Sequence, residues 1–343
     1  MPKIRVAIIG NGSICRHRHA PEYAAHDEAE IVAFADRVPE RDEYCVKKYG
    51  GKAYDKWEDV LALKDVDAVS VCTPNAFHAP ITIAALQAGK HVLCEKPMAT
   101  SAAEADAMID AARTAGRFLM IGHNQRLAPL HVKAKQILES GIIGKVITFR
   151  TAFSHGGPEG WSIEGAGGWF FDKKQAFVGA MGDLGVHKAD LLRWLLGEEI
   201  VEVSAMVERL EKTFGDVDDT AVCLLRTQSG AVGTLAASWT HHPGEDNATI
   251  VYGEKGILRI GSDKSYPVVV NLQSGESQFF QTGALQTNEA GGQSDSGVIR
   301  KFLHSLATNT PPEISGDEGR RALAIILACL ESSETKRHVA VRY

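Results

Sequence analysis

The chain has 343 residues, a length that accommodates about two domains of ordinary size. Apolar residues make up 44% of the sequence and charged residues 23%, proportions that exclude a disordered or collagen-like chain. There are 37 basic and 43 acidic side chains, so the formal net charge is −6, and without a long basic stripe we expect no binding to nucleic acid.

The first 122 residues alternate short apolar runs with segments of helical spacing. The apolar runs predict strands at residues 5–9, 30–35, 68–72, 91–94 and 118–122. Between them, segments such as residues 79–88 and 102–115 carry apolar side chains three or four positions apart, which is the spacing of a helix. This alternation predicts βαβ units around a parallel sheet, with helices on both faces because its strands are apolar throughout.

From about residue 142 the pattern changes to β-branched or alternating runs divided by turns. These runs predict strands at residues 146–155, 200–210, 220–227, 231–239, 248–252 and 257–260. Helices are predicted at residues 182–196, 296–307 and 317–336, whereas residues 272–294, rich in Gln, Gly and Ser, predict a long loop. Since few long helices interrupt the strands, we expect an open, mainly antiparallel sheet.

An open sheet of this kind needs one face covered, by helices and by another subunit. The sequence therefore predicts a homodimer or a homotetramer. No run of about 18 apolar residues is present, so we expect no contact with a membrane through a spanning segment. The N-terminal residues enter a strand at once and lack the pattern of a signal peptide.

Six cysteines, at positions 15, 45, 72, 94, 223 and 329, lie far apart and never form a Cys-x-x-Cys pair. This usage favours reduced thiols in a cytoplasmic enzyme over a disulfide framework or a zinc site. One cysteine and two histidines lie together at residues 15–19. Because residues two apart on a helix point about 200° from each other, Cys15 and His17 cannot grip one ion, and we expect no metal.

A glycine pair follows the first predicted strand and precedes a predicted helix. This arrangement leaves room for a pyrophosphate at the helix N-terminus, where backbone N–H groups and the helix dipole stabilise it. Cys15 stands where a third Gly or Ala is usual, and an ordinary tight turn is the alternative interpretation. The residues assigned to the cofactor here are Gly10, Gly12, Ser13 and Ile14.

Asp36 ends the second predicted strand, 26 residues after Gly10. A carboxylate at this place can accept both ribose hydroxyls of an adenosine, and it would repel a 2′-phosphate. These properties favour NAD over NADP. The neighbouring Arg37 points the other way, because it could receive that phosphate or stack on the adenine, so NADP stays open as the less favoured cofactor.

Three further motifs identify a family resemblance. Thr73-Pro74-Asn75-x-x-His78 and Glu95-Lys96-Pro97 follow two of the predicted strands, and Gly182-Asp183-Leu184-Gly185-Val186-His187 opens a helix of the second half. Together with the glycine pair and Asp36, they resemble the Gfo/Idh/MocA oxidoreductases (glucose–fructose oxidoreductase, inositol dehydrogenase and rhizopine-catabolism proteins). Residues 314–323 also match, so the resemblance covers nearly the whole chain.

The resemblance implies an α/β protein of two domains. Residues 1–122 would form a Rossmann dinucleotide-binding domain, and residues 123–343 an α/β domain for substrate binding and oligomerisation. The implied activity is hydride transfer between NAD(P) and a secondary alcohol or ketone of a cyclic polyol or sugar. Cofactor contacts are implied for Thr73, Asn75, His78, Glu95 and Lys96, and in this family the proline after the lysine is cis.

Lys96, Asp183 and His187 are the predicted catalytic residues, and they would also bind the substrate. Asp183 and His187 are four positions apart, so they share one face of a helix. A histidine, with an unperturbed pKa near ~6.5, suits removal of a hydroxyl proton, and Asp183 could anchor hydroxyls and favour the imidazolium. Lys96 could stabilise an alkoxide. Each also has an ordinary interpretation, as a loop lysine, a helix cap or a core histidine.

Further contacts come from the resemblance alone. It places Arg126 and His155 at the substrate, and Asn124 and Trp169 at the cofactor, although Phe170 replaces an arginine that many relatives carry. Relatives often have a tyrosine before the penultimate helix, but no residue is assigned here. The sequence leaves Trp239, His241 and His242 between a pocket mouth and a surface loop.

Two other functions remain open at this point. Some relatives hydrolyse glycosidic bonds through transient oxidation by a tightly held NAD. Others are regulatory proteins that bind the dinucleotide without turnover, but these have often lost the lysine or the histidine that this chain keeps as Lys96 and His187. Dehydrogenation of a sugar or cyclitol is the favoured prediction.

Overall fold

The computed structural model describes residues 3–283, 287, 293 and 295–343, which form two sheets and the helices that pack on them. The first sheet is parallel, as predicted. Its strands are β1 (Ile4–Ile9), β2 (Ala29–Ala35), β3 (Lys52–Tyr54), β4 (Ala68–Val71), β5 (His91–Cys94) and β6 (Leu119–Ile121). They lie in the order β3-β2-β1-β4-β5-β6. The order reverses beside β1, and ligands of open α/β sheets bind at such a reversal, outside the carboxyl ends of the strands.

Helices connect the strands of this sheet. They are α1 (Ala20–Ala24), α2 (Pro39–Tyr49), α3 (Trp57–Leu61), α4 (His78–Gln87) and α5 (Ala102–Ala115). The α5 helix shows why the prediction succeeded: Ser101 caps it by accepting the Glu104 N–H at 3.2 Å, and Gly116 ends it in the left-handed region. The β3 strand was not predicted because it is a three-residue edge strand without an apolar run.

The second sheet is open and mainly antiparallel, which confirms the predicted fold class. Its strands are β7 (Val146–Ser154), β8 (Ile200–Glu208), β9 (Thr220–Thr227), β10 (Val232–Ser238), β11 (Thr249–Gly253), β12 (Gly256–Ile260), β13 (Val268–Leu272), β14 (Ser277–Phe280) and β15 (Val339–Ala340). They lie in the order β14-β13-β12-β11-β7-β10-β9-β8-β15. The pair formed by β7 and β10 is parallel, which makes the sheet mixed.

The prediction of a loop at residues 272–294 is wrong for residues 277–280, which form β14. There β14 pairs with β13 across a turn at Gly275, whose φ is +92°. This short edge strand has polar residues in its first half, so no apolar run announced it. The later part of the predicted loop includes residues 284–286, 288–292 and 294, which lie outside the described residues.

The helices of the second half pack on both sheets. They are α6 (Pro129–Glu139), α7 (Lys173–Ala176), α8 (Val186–Leu196), α9 (Val298–Thr308) and α10 (Gly316–Thr335). Phe302 and Leu303 of α9 and Leu323 of α10 are fully buried in the core of the parallel sheet, although they lie near the end of the chain. The division at residue 122 stays a prediction. In the described part of the chain no helix is both long and apolar enough to cross a membrane.

One face of the second sheet is exposed around β9. Along β9 the side chains of Ala221, Cys223 and Leu225 are buried, whereas the intervening Val222 and Leu224 are 52% and 59% exposed. Alternation of this kind is expected for a sheet packed on one side, but the outward residues are usually polar. An apolar outer face therefore remains uncovered in the single chain.

Candidate active site

A pocket lies at the carboxyl ends of β1, β4 and β5, between the two halves of the chain. Most of the residues predicted from sequence line it. They are Gly12, Ser13, Ile14, Thr73, Asn75, His78, Glu95, Lys96, Asn124, His155, Trp169, Asp183 and His187. The structure thus brings together motifs that are as much as 175 positions apart in the sequence.

The loop after β1 has the shape that a pyrophosphate requires. Gly10 has a φ of +93°, and a Cβ there would lie 2.6 Å from the backbone carbon of Cys72, so only glycine fits. A Cβ on Gly12 would meet nothing within 4 Å, which leaves open space in front of the loop. Cys15 is fully buried and its thiol lies 3.4 Å from Asn11 Oδ1, so a cysteine is accommodated at the third small position.

Asp36 lies beside this loop at the end of β2. Its Oδ2 accepts the Asn11 N–H at 2.7 Å, and its Oδ1 accepts the Val38 N–H at 2.9 Å. Behind it, the buried Asp42 accepts the Asp36 N–H at 3.2 Å, and burial raises the pKa of Asp42 to about 6. The carboxylate of Asp36 is therefore held at the place where a Rossmann fold binds the adenosine ribose.

The arginine whose guanidinium approaches the Asp36 carboxylate is Arg41, whereas the sequence suggested Arg37. Arg37 is exposed, and its guanidinium lies 5.5 Å from the centre of the Phe77 ring, outside the pocket lining. Arg41, on the first turn of α2, lines the pocket and approaches Asp36 to 3.9 Å. Sequence reasoning missed Arg41 because it considered only the residue directly after Asp36.

The loops after β4 and β5 are fastened to each other by His78. Its Nδ1 lies 2.8 Å from the Pro97 carbonyl oxygen, and its Nε2 lies 2.9 Å from that of Thr73. Asn75 donates from Nδ2 to the carbonyl oxygen of Ala176 at 2.8 Å, which joins the first half of the chain to the second. In this structure His78 and Asn75 hold the wall of the pocket in place.

Glu95 is the centre of a buried polar cluster. Its Oε1 lies 2.8 Å from both Arg18 Nη1 and His19 Nε2. Burial alone would raise the pKa of Glu95, but the charge of Arg18 and the bond from His19 hold it well below its usual value. Arg18 and Asn124 both donate to Gln293 Oε1, Asn124 at 3.0 Å. Arg18, His19 and Gln293 were missed, because such pairing depends on tertiary approach.

Lys96 and Asp183 meet in the middle of the pocket. Lys96 Nζ donates to Asp183 Oδ1 at 2.8 Å and to the Asp183 carbonyl oxygen at 2.9 Å. The other carboxylate oxygen, Oδ2, accepts the indole N–H of Trp239 at 3.2 Å. The Lys96–Pro97 peptide bond is cis, as the resemblance implies. Trp239, left undecided by the sequence, is thus a buried partner of Asp183, whereas His241 and His242 are exposed.

His187 lies on the first turn of α8, after a wide turn at Met181–Gly185 that carries Asp183. Its ring is buried and packs at 5.7 Å from the Phe153 ring. Burial, followed by the positive charge of Lys96, lowers the pKa of His187 well below its usual value. Nδ1 has no hydrogen-bond partner among the described residues. His187 is therefore neutral near pH 7, so its ring can accept a proton in the pocket.

Arg126 is not among the residues that line the pocket, so the structure does not support the predicted substrate contact. Its Nε donates to Asp190 Oδ2 at 2.7 Å, and its Nη2 donates to Glu318 Oε2 at 2.6 Å. Arg126 and Asp190 are 4% and 1% exposed. Through Nε and Nη2 the guanidinium thus joins α8 and α10.

His155 and Trp169 do line the pocket. His155 Nδ1 accepts the Gly157 N–H at 2.9 Å, so the proton of the neutral ring is on Nε2. Trp169 stacks on Phe170 with their ring centres 4.0 Å apart, and Trp161 meets Phe170 edge to face. The arginine that many relatives have at position 170 is thus replaced by part of an aromatic cluster.

Residues 156–171, here called the strap, lead from the second sheet across the phosphate loop. The Ile163 N–H donates to Ser13 Oγ at 3.0 Å, and Glu164 forms an ion pair with Arg41. The sequence predicts that the loop of residues 156–171 shapes the pocket, but no motif marks Trp161, Ile163 or Glu164 individually.

Comparison with known proteins gives a consistent result. A family model described as "Oxidoreductase family, NAD-binding Rossmann fold" matches residues 4–123, and one described as "GFO/IDH/MocA C-terminal domain" matches residues 131–259. The chain is 31% identical to myo-inositol 2-dehydrogenase of Thermotoga maritima, over 98% of both chains. It is 30% identical to levoglucosan dehydrogenase of Pseudarthrobacter phenanthrenivorans, over 75% of this chain and 73% of that one. The solved structure of a levoglucosan dehydrogenase with NADH and levoglucosan superposes with a TM-score of 0.87 at 25% identity, covering 99% of this chain and all of the other.

Proposed function

Because the chain belongs to the Gfo/Idh/MocA family of NAD-binding oxidoreductases, we propose that it oxidises a secondary alcohol of a cyclic polyol or sugar, reversibly, with NAD. The observation that carries this proposal is the meeting of Lys96, Asp183 and His187 in one pocket with the phosphate loop. The names of the inositol and levoglucosan dehydrogenases support the substrate class. The hydrolase and regulatory alternatives gain no support from these relatives.

The three residues divide the work of the reaction. When bound, the nicotinamide supplies the acceptor for the hydride. Neutral His187 takes the hydroxyl proton as general base. Lys96 has three N–H groups, two of which are directed at Asp183, so the third is free to stabilise the developing alkoxide. Asp183, itself held by Trp239, fixes the position of Lys96.

Around this centre the pocket fits a ring that carries hydroxyl groups. His155 offers an Nε2–H donor to a substrate oxygen. Phe153, Trp161 and Trp169 present aromatic surface, on which the C–H groups of a sugar or cyclitol ring can pack. Apolar walls with a few directed polar groups are typical of sites for small ligands.

We propose NAD as the cofactor in preference to NADP. The Asp36 carboxylate can accept the two ribose hydroxyls and repels a 2′-phosphate. Arg37, which would favour NADP, is exposed and lies over the Phe77 ring. Ser13 and Ile14 at the start of the helix are in position to hold the pyrophosphate with backbone N–H groups.

A second copy of this chain is proposed to cover the exposed face of the second sheet, which gives a homodimer or a homotetramer. Met206, Val222 and Leu224 are 73%, 52% and 59% exposed on this face. Large apolar side chains gathered on one face mark an interaction surface. All six cysteines are described, and each is a buried free thiol, which supports placing the enzyme in the cytoplasm.

The function is tested by a screen of inositols, aldoses and their keto derivatives, followed through NADH absorbance. We expect NAD-dependent oxidation of at least one cyclic polyol or sugar, and reduction of the matching ketone by NADH. Release of sugar from an aryl glycoside without net NADH would instead indicate the hydrolase. Dinucleotide binding without turnover on any member of the screen would contradict the proposed substrate class.

A further inference from the structure

The strap contacts the first half of the chain through a hydrogen bond from a backbone N–H to a side-chain oxygen and through an ion pair. The Ile163 N–H donates to Ser13 Oγ at 3.0 Å, on the phosphate loop itself. Glu164 pairs through Oε1 with the guanidinium of Arg41, which is 123 positions away in the sequence. Its other oxygen, Oε2, accepts the Trp169 N–H at 3.2 Å. Both oxygens of Glu164 are therefore engaged, and the carboxylate is held over the groove.

Arg41 lies between two carboxylates. Its Nη2 is bonded to Glu164, and its Nη1 lies 3.9 Å from Asp36 Oδ1. The side chains of Arg41, Glu164 and Asp36 are 21%, 25% and 9% exposed, so solvent screens their charges only in part. Two carboxylates therefore lie around the one guanidinium of Arg41 at this end of the groove.

We propose that Glu164 is a specificity-determining residue that makes the site select NAD over NADP, acting through Arg41 from the second half of the chain. A free Arg41 beside Asp36 would present a planar N–H fork, the group that binds phosphate best. Glu164 occupies the Nη2 side of that fork and adds a second negative charge beside Arg41. This inference rests on the proposed use of a dinucleotide, and it assigns the selectivity to Asp36 and Glu164 jointly.

The test measures binding of NADH and NADPH to the full chain through nicotinamide fluorescence, so it needs no substrate. Glu164→Gln removes the charge and keeps the size of the side chain, although one of its two acceptor oxygens becomes an NH2 donor. We expect the ratio of the NADPH Kd to the NADH Kd to fall about tenfold, the size of effect produced by one unit charge at a partly buried site. Arg41→Gln alone should raise the ratio, because it removes the cation nearest the 2′ position.

Two further variants separate this effect from a general change of charge. Glu159→Gln neutralises a carboxylate on the same strap that pairs with Lys212 at 2.6 Å instead of with Arg41, and it should leave the ratio unchanged. In the double variant Arg41→Gln/Glu164→Gln the gain for NADPH should disappear, since the cation that Glu164 occupies is gone.

The proposal is overturned if Glu164→Gln, folded and binding NADH, keeps a ratio within about twofold of the wild type. An equal fall in Glu159→Gln, or a gain that survives in the double variant, would overturn it as well. Failure of the proposed function has a different signature. A wild-type chain that binds neither dinucleotide contradicts both proposals, whereas binding without turnover contradicts the substrate class alone.

Discussion

His187 has a neutral ring, as a general base must have before it accepts a proton. Its ring is buried against Phe153, and burial together with the charge of Lys96 keeps its pKa well below the usual value. The sequence suggested that Asp183 would raise this pKa. In the structure the Asp183 carboxylate is bonded by Lys96 and Trp239, so it acts on Lys96 and not on the histidine.

Replacement of His187 by alanine should lower kcat for alcohol oxidation by ~10²–10⁴-fold, the usual contribution of a general base. Dinucleotide binding should stay nearly intact, because the ring lies at the substrate side of the pocket. Steady-state kinetics and NADH binding measure the two effects, and circular dichroism controls for folding. A folded variant that binds NADH and keeps more than about a tenth of the wild-type kcat would make His187 a packing residue.

The pH dependence of kcat provides a second test. A general base works in its neutral form, and that form is lost as the pH falls through the pKa of His187. Since this pKa is lowered, we expect the oxidation rate to hold from pH 8 down past ~6.5 and to decline only at more acidic pH. A profile of kcat against pH in which His187 titrates at or above its ordinary value contradicts this expectation.

At the scale of elements, an apolar run alone did not ensure a correct prediction, since β13 with its three consecutive valines was not predicted. The helix at Ala102–Ala115 and the strand at Thr220–Thr227 have the predicted bounds, since periodicity and turn residues mark both ends. The edge strands β3 and β14 are short and partly polar, so their pairing is decided by neighbours and not by their own residues. Edge strands are the least specified elements of a sheet.

The residues of the candidate site also fall into two groups, those that the sequence could indicate and those that only the folded chain reveals. Gly10, Asp36, Lys96 and His187 stand in contiguous motifs beside predicted elements, so a single sequence could indicate them. The partners of those residues could not be found, because an ion pair such as that of Arg41 and Glu164 joins segments that only the folded chain brings together.

Arg126 shows that the family resemblance and the structure can indicate different roles for the same residue. The resemblance assigned it to substrate, but its guanidinium is bonded to Asp190 and Glu318 between α8 and α10. Arg126→Met should therefore destabilise the protein by about 3–5 kcal/mol, because it leaves a buried carboxylate unpaired. Thermal unfolding measures the change, and KM of the folded fraction should be unaffected.

Arg113→Met is the matched control for this prediction. Arg113 pairs with Asp110, but both side chains are largely exposed, and loss of an exposed pair should change the unfolding temperature little. A rise in KM of Arg126→Met without a loss of stability would restore the substrate contact that the sequence suggested.

For the whole molecule, the uncovered face of the second sheet is the surface proposed to bind a second copy of the chain. Leu224→Glu places a charge in the middle of this face, and in a symmetric pair it would meet its own counterpart or apolar side chains. We expect the wild type to have the mass of two or four chains by light scattering, and Leu224→Glu to have a smaller mass. Val132→Glu, an equivalent change at an exposed position of α6, should leave the mass unchanged. A monomeric wild type would contradict the proposed assembly.

The positions of α9 and α10 also matter for folding during translation. Phe302, Leu303 and Leu323 fill the core of the parallel sheet, and the Ile121 N–H donates to the carbonyl oxygen of Ile314 at 2.9 Å. Ribosomes synthesise a protein from its N-terminus, and N-terminal domains commonly fold before the rest has emerged. Here the first half lacks part of its own interior until α9 and α10 have been synthesised. Until then the apolar surface of the parallel sheet that these two helices cover has no partner in the nascent chain.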